Sequence, residues 1–270
     1  MSLFFSCERE KVISYDIPYD GDKLVLLAFM SAQEGITAYV THTLPPAQQN
    51  KPAPIIEGAS VKVFKDGHPL GSLLDQGAGR FVSPSEMIFL DSSQYSLVLN
   101  APGFDDVSTP QINTIDVVAL KDVEVISLND SSNVQIAFSF LDPVDSYGNL
   151  YQVGLNRYDE QGNQLGSSDD DFFDAFGSFP DTGFDGELYT SFISTNRTFE
   201  DEYNVITPIR SVELQVFSFS PEVIKYLEST FNYEGTHLSA WYEPLPIYNN
   251  ISGGYGIFGA YSVAKVRKSL

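Results

Sequence analysis

The chain has 270 residues, 43% of them hydrophobic, which is enough for one large or two ordinary cores and excludes a disordered chain. Its formal charge of −21 excludes nucleic acid as a partner, because phosphate recognition needs clustered Lys and Arg. A single cysteine excludes a disulfide framework and a thiolate metal site.

Residues 1–7, MSLFFSC, run from apolar to small to cysteine, and charged residues follow from Glu8 to Lys11. That order resembles the end of a bacterial lipoprotein signal without its basic start and most of its apolar stretch. It predicts lipid attachment at Cys7, with residues 1–22 as a tether. Residues 23–30 read as a buried strand carrying Leu24, Val25, Leu26 and Leu27. Residues 36–43 alternate, so that Ile36, Ala38, Val40 and His42 share a face. The Pro-rich stretch 44–54 is unsuited to a sheet interior and reads as an exposed loop.

A regular run of short strands follows at 59–65, 70–74, 77–82, 87–90 and 95–101, with Asp66-Gly67 as a hairpin turn. The order VKVFKDGHPLGSLLDQGAGRFVSP, then SSQYSLVLNAPGF, resembles the transthyretin-like β-sandwich found as a repeat in bacterial surface proteins. The polar segment 105–114 is the predicted domain boundary. Strands resume at 117–128 and 134–141, where Val134, Ile136, Phe138 and Phe140 share a face, and again at 150–158. A turn follows at 159–163. The acidic, aromatic, Gly-rich stretch 167–187 reads as a long loop or distorted edge. After strands at 188–194 and 211–219 comes one helix, 220–231. It has Ser220 as N-cap, Pro221 at the first position, and Val223, Ile224, Leu227 and Phe231 on an apolar face.

The chain closes with an Asn- and Gly-rich turn and a strand over 256–266. Gly254, Gly256 and Gly259 spell GxGxxG, but a dinucleotide site needs a helix there and an acid about 20 residues on. The 11 residues after Gly259 accommodate neither. The glycines are therefore expected to shape backbone in a strand that earlier strands hold.

Four stretches together resemble the family called domain of unknown function 4249. They are the Cys ahead of EKVISYDIPYDGDKLVLLAFMS, the APGF strand end, the LDP and GNLYQV run, and the terminal EPLPIYNNISGGYGIFGAYS. The resemblance covers about residues 7–261. It implies a surface lipoprotein of Bacteroidota, a lipid anchor at Cys7, a two-part β architecture and proximity to TonB-dependent receptors. It implies no catalytic residue.

The residues themselves point away from catalysis. His42, His68 and His237 are far apart and form no zinc-type spacing, and no GxSxG elbow is present. Asp and Glu are too abundant to single out a glycosidase pair. Asp169, Asp170, Asp171 and Asp174, followed by Asp181, Asp185 and Glu187, form the densest carboxylate group. They are the candidate calcium site, since calcium takes about six to eight oxygens from such loops. The DxDxDG spacing is absent, and no other cofactor is expected. Phe172, Phe173, Phe176, Phe179 and Phe184 interleave with these acids and are expected to pack over a sheet end, the alternative being an apolar patch presented to a partner. Glycosylation-type sequons begin at Asn129, Asn196 and Asn250.

The sequence thus predicts an all-β protein. A transthyretin- or immunoglobulin-like sandwich over 23–108 precedes a larger antiparallel sandwich or barrel-like domain over 115–270, with one short helix. The expected role is non-enzymatic: an outer-membrane lipoprotein facing the exterior, touching the membrane through its anchor alone. It would bind a glycan or peptide ligand, or dock to a TonB-dependent receptor or another surface protein. The alternatives are an adhesin-like module without a small ligand and an unrecognised glycan hydrolase.

Overall fold

The structure, a computed structural model, describes residues 19, 21–45, 52, 54–90, 92–127, 132–144, 149–166, 178–237 and 245–270. The first strands are β1 (Leu24–Ser31), β2 (Gly35–His42), β3 (Ser60–Lys65), β4 (His68–Ser72), β5 (Leu74–Asp75), β6 (Arg80–Val82), β7 (Gln94–Asn100), β8 (Val107–Ser108) and β9 (Ile112–Asn113). Next come β10 (Leu120–Ser127), β11 (Asn133–Leu141), β12 (Leu150–Tyr158), β13 (Gln164–Leu165), β14 (Ser178–Pro180) and β15 (Leu188–Asn196). The remainder comprises β16 (Thr198–Glu200), β17 (Ile206–Pro208), β18 (Ser211–Phe219), helix α1 (Pro221–His237) and β19 (Tyr255–Ser269). Among the described residues the protein is all-β with one helix. Among the described residues no helix is long and apolar enough to cross a membrane.

The first sandwich follows from the pleat. One sheet joins β1, β2, β6 and β5, and the other joins β4, β3, β7 and β8, with β9 also on β7. Successive side chains on a strand point to opposite faces. Leu24, Leu26, Ala28 and Met30 of β1 therefore meet Val61, Val63, Tyr95, Leu97 and Leu99 in one buried cluster. Asp66 and Gly67 have φ of 49° and 78°, the paired positive values of a type I′ hairpin. The segment 105–114, read as a polar boundary, carries β8 and β9, with Val107 and Ile112 buried in this core. One inward residue per short strand left too little pattern to read.

The strand β19 belongs to both halves of the molecule. Its first part runs parallel to β1, from Tyr255 opposite Val25 to Ala260 opposite Met30. Its second part runs antiparallel to β18, from Tyr261 opposite Phe219 to Ser269 opposite Ser211. Beyond β18 the sheet continues through β12 to β13 and β14, while β10, β11 and β15 form a second, separate sheet. Phe138 and Phe140 of β11 close on Tyr151, Leu214, Val216 and Ala264 across the gap, so this half is also sandwich-like. The C-terminal strand is held by earlier ones, as its sequence requires, and segment 115–270 lends half a strand to the first sandwich.

The even-numbered side chains of β19 serve both cores. Phe258 and Ala260 lie in the first and Ala264 in the second. Between them the fully buried Ser262 donates to the Asp116 carbonyl at 2.8 Å. Its one proton being used, the Ser218 hydroxyl 3.0 Å away must donate to it. The odd-numbered side chains Ile257, Tyr261 and Val263 face Val223 and Leu227 of α1, together with Phe29, Phe217 and Phe219. The helix thus covers the junction from behind.

Two side chains complete the ladder of β19. Asn250 accepts the Phe258 N–H at 2.9 Å and donates to the Phe258 carbonyl at 2.8 Å, standing in for a strand peptide. Ser220 holds the N-cap position, its carbonyl accepting from Ile224 N–H at 3.0 Å. Its hydroxyl, however, accepts the Ala260 N–H at 3.1 Å, so the cap serves the sheet and not the helix. The sequon at Asn250 is consumed by this backbone role.

At Gly256 the backbone has φ 123°, and a Cβ would collide with the Leu26 carbonyl. Gly256→Ala is expected to cost about 3 kcal/mol, combining a left-handed backbone penalty of about 1–2 with a similar overpacking penalty. Gly162→Ala, at φ 85° with open space around it, should cost only the backbone part. Urea unfolding midpoints of the two variants check the difference.

The Tyr261 hydroxyl donates to Glu34 Oε2 at 2.8 Å, and Lys265 pairs with the other Glu34 oxygen. Burial, and then the Glu34 charge, hold this hydroxyl well above the ordinary phenol pKa of 10.0. The contribution is complete below that value. Above it the unfolded chain releases a proton that the folded chain keeps, so stability falls with rising pH by about 1.4 kcal/mol per unit. Tyr261→Phe should make the alkaline limb of a stability–pH curve shallower by about one such group, measured by chemical denaturation between about pH 9 and 12.

Candidate functional site

A cleft opens at the end of the second sandwich, with a volume of about 430 Å³. Its first wall is β12. Tyr151, Val153 and Leu155 of that strand face the core, and the same alternation brings Arg157 to the last inward position. A guanidinium on a core face is costly unless it is solvated or bonded. Its Nε donates to Thr195 Oγ1 of the facing sheet at 2.9 Å, linking β12 to β15. No further protein partner for Arg157 exists among the described residues.

The other wall is the end of β15 and the start of the β16–β17 hairpin. Ser194 and Asn196 are exposed, Phe199 is half-buried against the end of the core, and Glu200 is exposed. The hairpin is fixed by Ile209 N–H to the Arg197 carbonyl and by Arg210 N–H to the Tyr158 carbonyl, each 2.8 Å. Glu200 and Arg157 both line the cleft yet form no ion pair with each other. The cleft therefore offers a fork of donors, a free carboxylate, neutral polar groups and one aromatic ring.

A second constellation lies at the opposite end of β12. Asp142, Asp181 and Asp185 bring one carboxylate oxygen each within 4.8 Å of the others. Asp142 and Asp181 are 1% and 5% exposed. Asp142 accepts from the Tyr151 hydroxyl, from Asn149 Nδ2 at 3.3 Å and from Gly186 N–H at 2.9 Å. Asp181 accepts from Asn149 N–H at 2.8 Å. Burial, then the bond to Asp142, then the charges of Asp142 and Asp181 push the Tyr151 hydroxyl well above the usual phenol range. Protein donors already answer both buried carboxylates, which makes the group a brace tying the end of β11 and the start of β12 to the turn 181–187. Around it Phe140, Tyr151, Phe179, Phe184 and Tyr189 form an aromatic cluster with centroids 4.5–6.4 Å apart.

Of the residues singled out from sequence, Asp169, Asp170, Asp171 and Asp174 lie outside the described residues, as does Cys7. Asp181 and Asp185 do come together, but with Asp142 and not through Glu187, whose carbonyl accepts the Asp142 N–H at 3.0 Å. Phe179 and Phe184 pack against the second core, while Phe172, Phe173 and Phe176 lie outside the described residues. His68 opens β4 and is exposed; His42 lies against the Phe104 ring at 5.6 Å. Arg157 escaped notice although its signal was present: in LYQVGLNRY the inward series 151, 153, 155 ends on a charge.

Asp142→Ala strands the Tyr151 hydroxyl, the Asn149 amide and the Gly186 N–H, and should cost about 3 kcal/mol. In a double-mutant cycle with Tyr151→Phe the coupling should be about 1 kcal/mol or more. The wild-type melt should be unmoved by EDTA; a fall on chelation would make the brace a cation site.

No curated protein matches the chain. A family model described as a domain of unknown function (DUF4249) matches residues 10–267, from ahead of β1 almost to the end of β19. The chain belongs to this family.

Proposed function

We propose that the protein is a non-enzymatic lipoprotein of the outer-membrane surface, which captures a small polar ligand beside a TonB-dependent receptor. The observation that carries this reading is the distance between the cleft and the start of β1. A tether over 1–22 would lead into β1, whose start lies next to Tyr255. Arg157 stands opposite Val212, and Val212 opposite Lys268. With a rise of about 3.3 Å per residue, Tyr255 and Lys268 are separated by about 43 Å along β19. Anchored through Cys7, the chain would hold the cleft at its outer end.

Glu200 is the one carboxylate among the described residues of the cleft, whereas glycoside hydrolysis employs two acids about 5–10 Å apart. This favours capture over cleavage. An open polar cleft likewise weighs against a purely structural module. The reading requires no cofactor.

The anchor is tested by feeding cells an alkyne fatty acid and isolating the full-length native protein. Label should sit on wild type, vanish in Cys7→Ala, and be accompanied by loss of that variant from the membrane fraction. Protease added to intact cells should remove the protein. Unlabelled wild type would overturn the anchor.

A further inference from the structure

The geometry points to a neutral saccharide as the occupant of the Arg157 cleft, an inference that rests on reading this cleft as a ligand site and not on the membrane anchor. Three observations converge on that class. The first is the balance of charge. Arg157 and Glu200 both line the cleft and form no ion pair with each other or with another described residue. An anionic ligand would gain from Arg157 but meet Glu200 within a protein of net charge −21. A cationic ligand would meet Arg157. A neutral ligand with many hydroxyls uses both, because each hydroxyl donates and accepts while guanidinium only donates and carboxylate only accepts.

The second observation is the supply of further hydrogen-bonding groups. The Ser194 and Thr198 hydroxyls and the Asn196 amide line the cleft and have no side-chain partner among the described residues. Arg157 is held through Nε by Thr195, which leaves the rest of its fork without a partner among the described residues. Such groups, spaced around one opening, match vicinal hydroxyls on a ring. The third is Phe199, half-buried in the same wall, a flat apolar surface for the C–H face of a pyranose. The volume of about 430 Å³ is toward the lower end of small-molecule sites, suited to one or two sugar rings.

The experiment is isothermal titration of the folded chain with a panel of neutral pyranosides and their short oligosaccharides. Glucuronic acid and a zwitterionic dipeptide serve as competing chemistries. At least one neutral saccharide should bind, with a Kd that differs less than about twofold between about 50 and 300 mM salt, since no net ligand charge is screened. Arg157→Ala and Glu200→Gln should each weaken it about tenfold or more, as loss of a charged hydrogen-bond partner does. Asn196→Ala, at an exposed position, should weaken it by a smaller factor with the melting temperature unchanged, which separates binding from folding. Silence across the neutral panel would overturn the inference, as would tighter binding of glucuronic acid or the dipeptide, or full affinity in both Arg157→Ala and Asn196→Ala. Failure of fatty-acid labelling at Cys7 would remove the anchor and leave this result standing.

Discussion

The backbone of β19 is the constraint from which the rest follows. One strand meets β1 in parallel with its first part and β18 antiparallel with its second. Successive peptides of a strand point to opposite edges, so each half leaves a row of N–H and C=O groups facing away from its partner. A buried peptide group without a partner costs about 1–3 kcal/mol. Asn250 answers both groups of Phe258, and Ser220 answers both groups of Ala260, the carbonyl through its own N–H at 2.9 Å. Those two residues carry the line of β18 onward to where β1 takes over, and neither is itself part of a named strand.

Three layers converge where the pairing changes over, and the side chains there are small. Gly259 lies under α1, where a Cβ would collide with Val223. Ala260 and Ser262 fill the space between the two cores. Larger residues would force the helix off the sheet and open the Glu34–Tyr261–Lys265 contact behind it. Because the strand crosses the junction without a break in its pairing, rotation of one half against the other would have to bend or unpair β19. The orientation of the cleft relative to β1 is therefore set by hydrogen bonds and not by a hinge.

How much of this was readable depends on how local its cause is. The type I′ turn at Asp66-Gly67, the alternation of β11 and the start of α1 at Pro221 are decided by neighbours in sequence, and they read correctly. The Asn-Gly run 249–256 also announced a turn, but not that Asn250 would act as a strand peptide, since that depends on Phe258 being its neighbour in space. The Asp142 brace was hidden for the same reason: its members are 39 and 43 positions apart, at positions 142, 181 and 185, and only the pairing of β12 with β14 brings them together. Acidic density drew attention to 169–174, yet density is a property of composition, whereas burial beside Tyr151 is a property of the fold. Arg157 was legible in principle, as the charged end of an inward apolar series, but an isolated arginine in a strand reads as surface unless its face is followed residue by residue.

The proposed binding site depends on the separation of Arg157 from Glu200. At physiological salt the field of distant charges fades over about 8 Å, so the net charge of the chain decides less inside the cleft than these two groups do. Had they met, each would have neutralised the other, and the opening would be a salt-bridged wall of little use to a ligand. They sit on different sheets: Arg157 on β12, tied by its Nε to β15, and Glu200 on the β16–β17 hairpin, which Arg210 fastens to the outer end of β12. The strand that reaches from the start of β1 to this end of the molecule thereby fixes two opposite charges at a distance where neither satisfies the other. A polyhydroxylated ring is the simplest ligand whose own groups complete both.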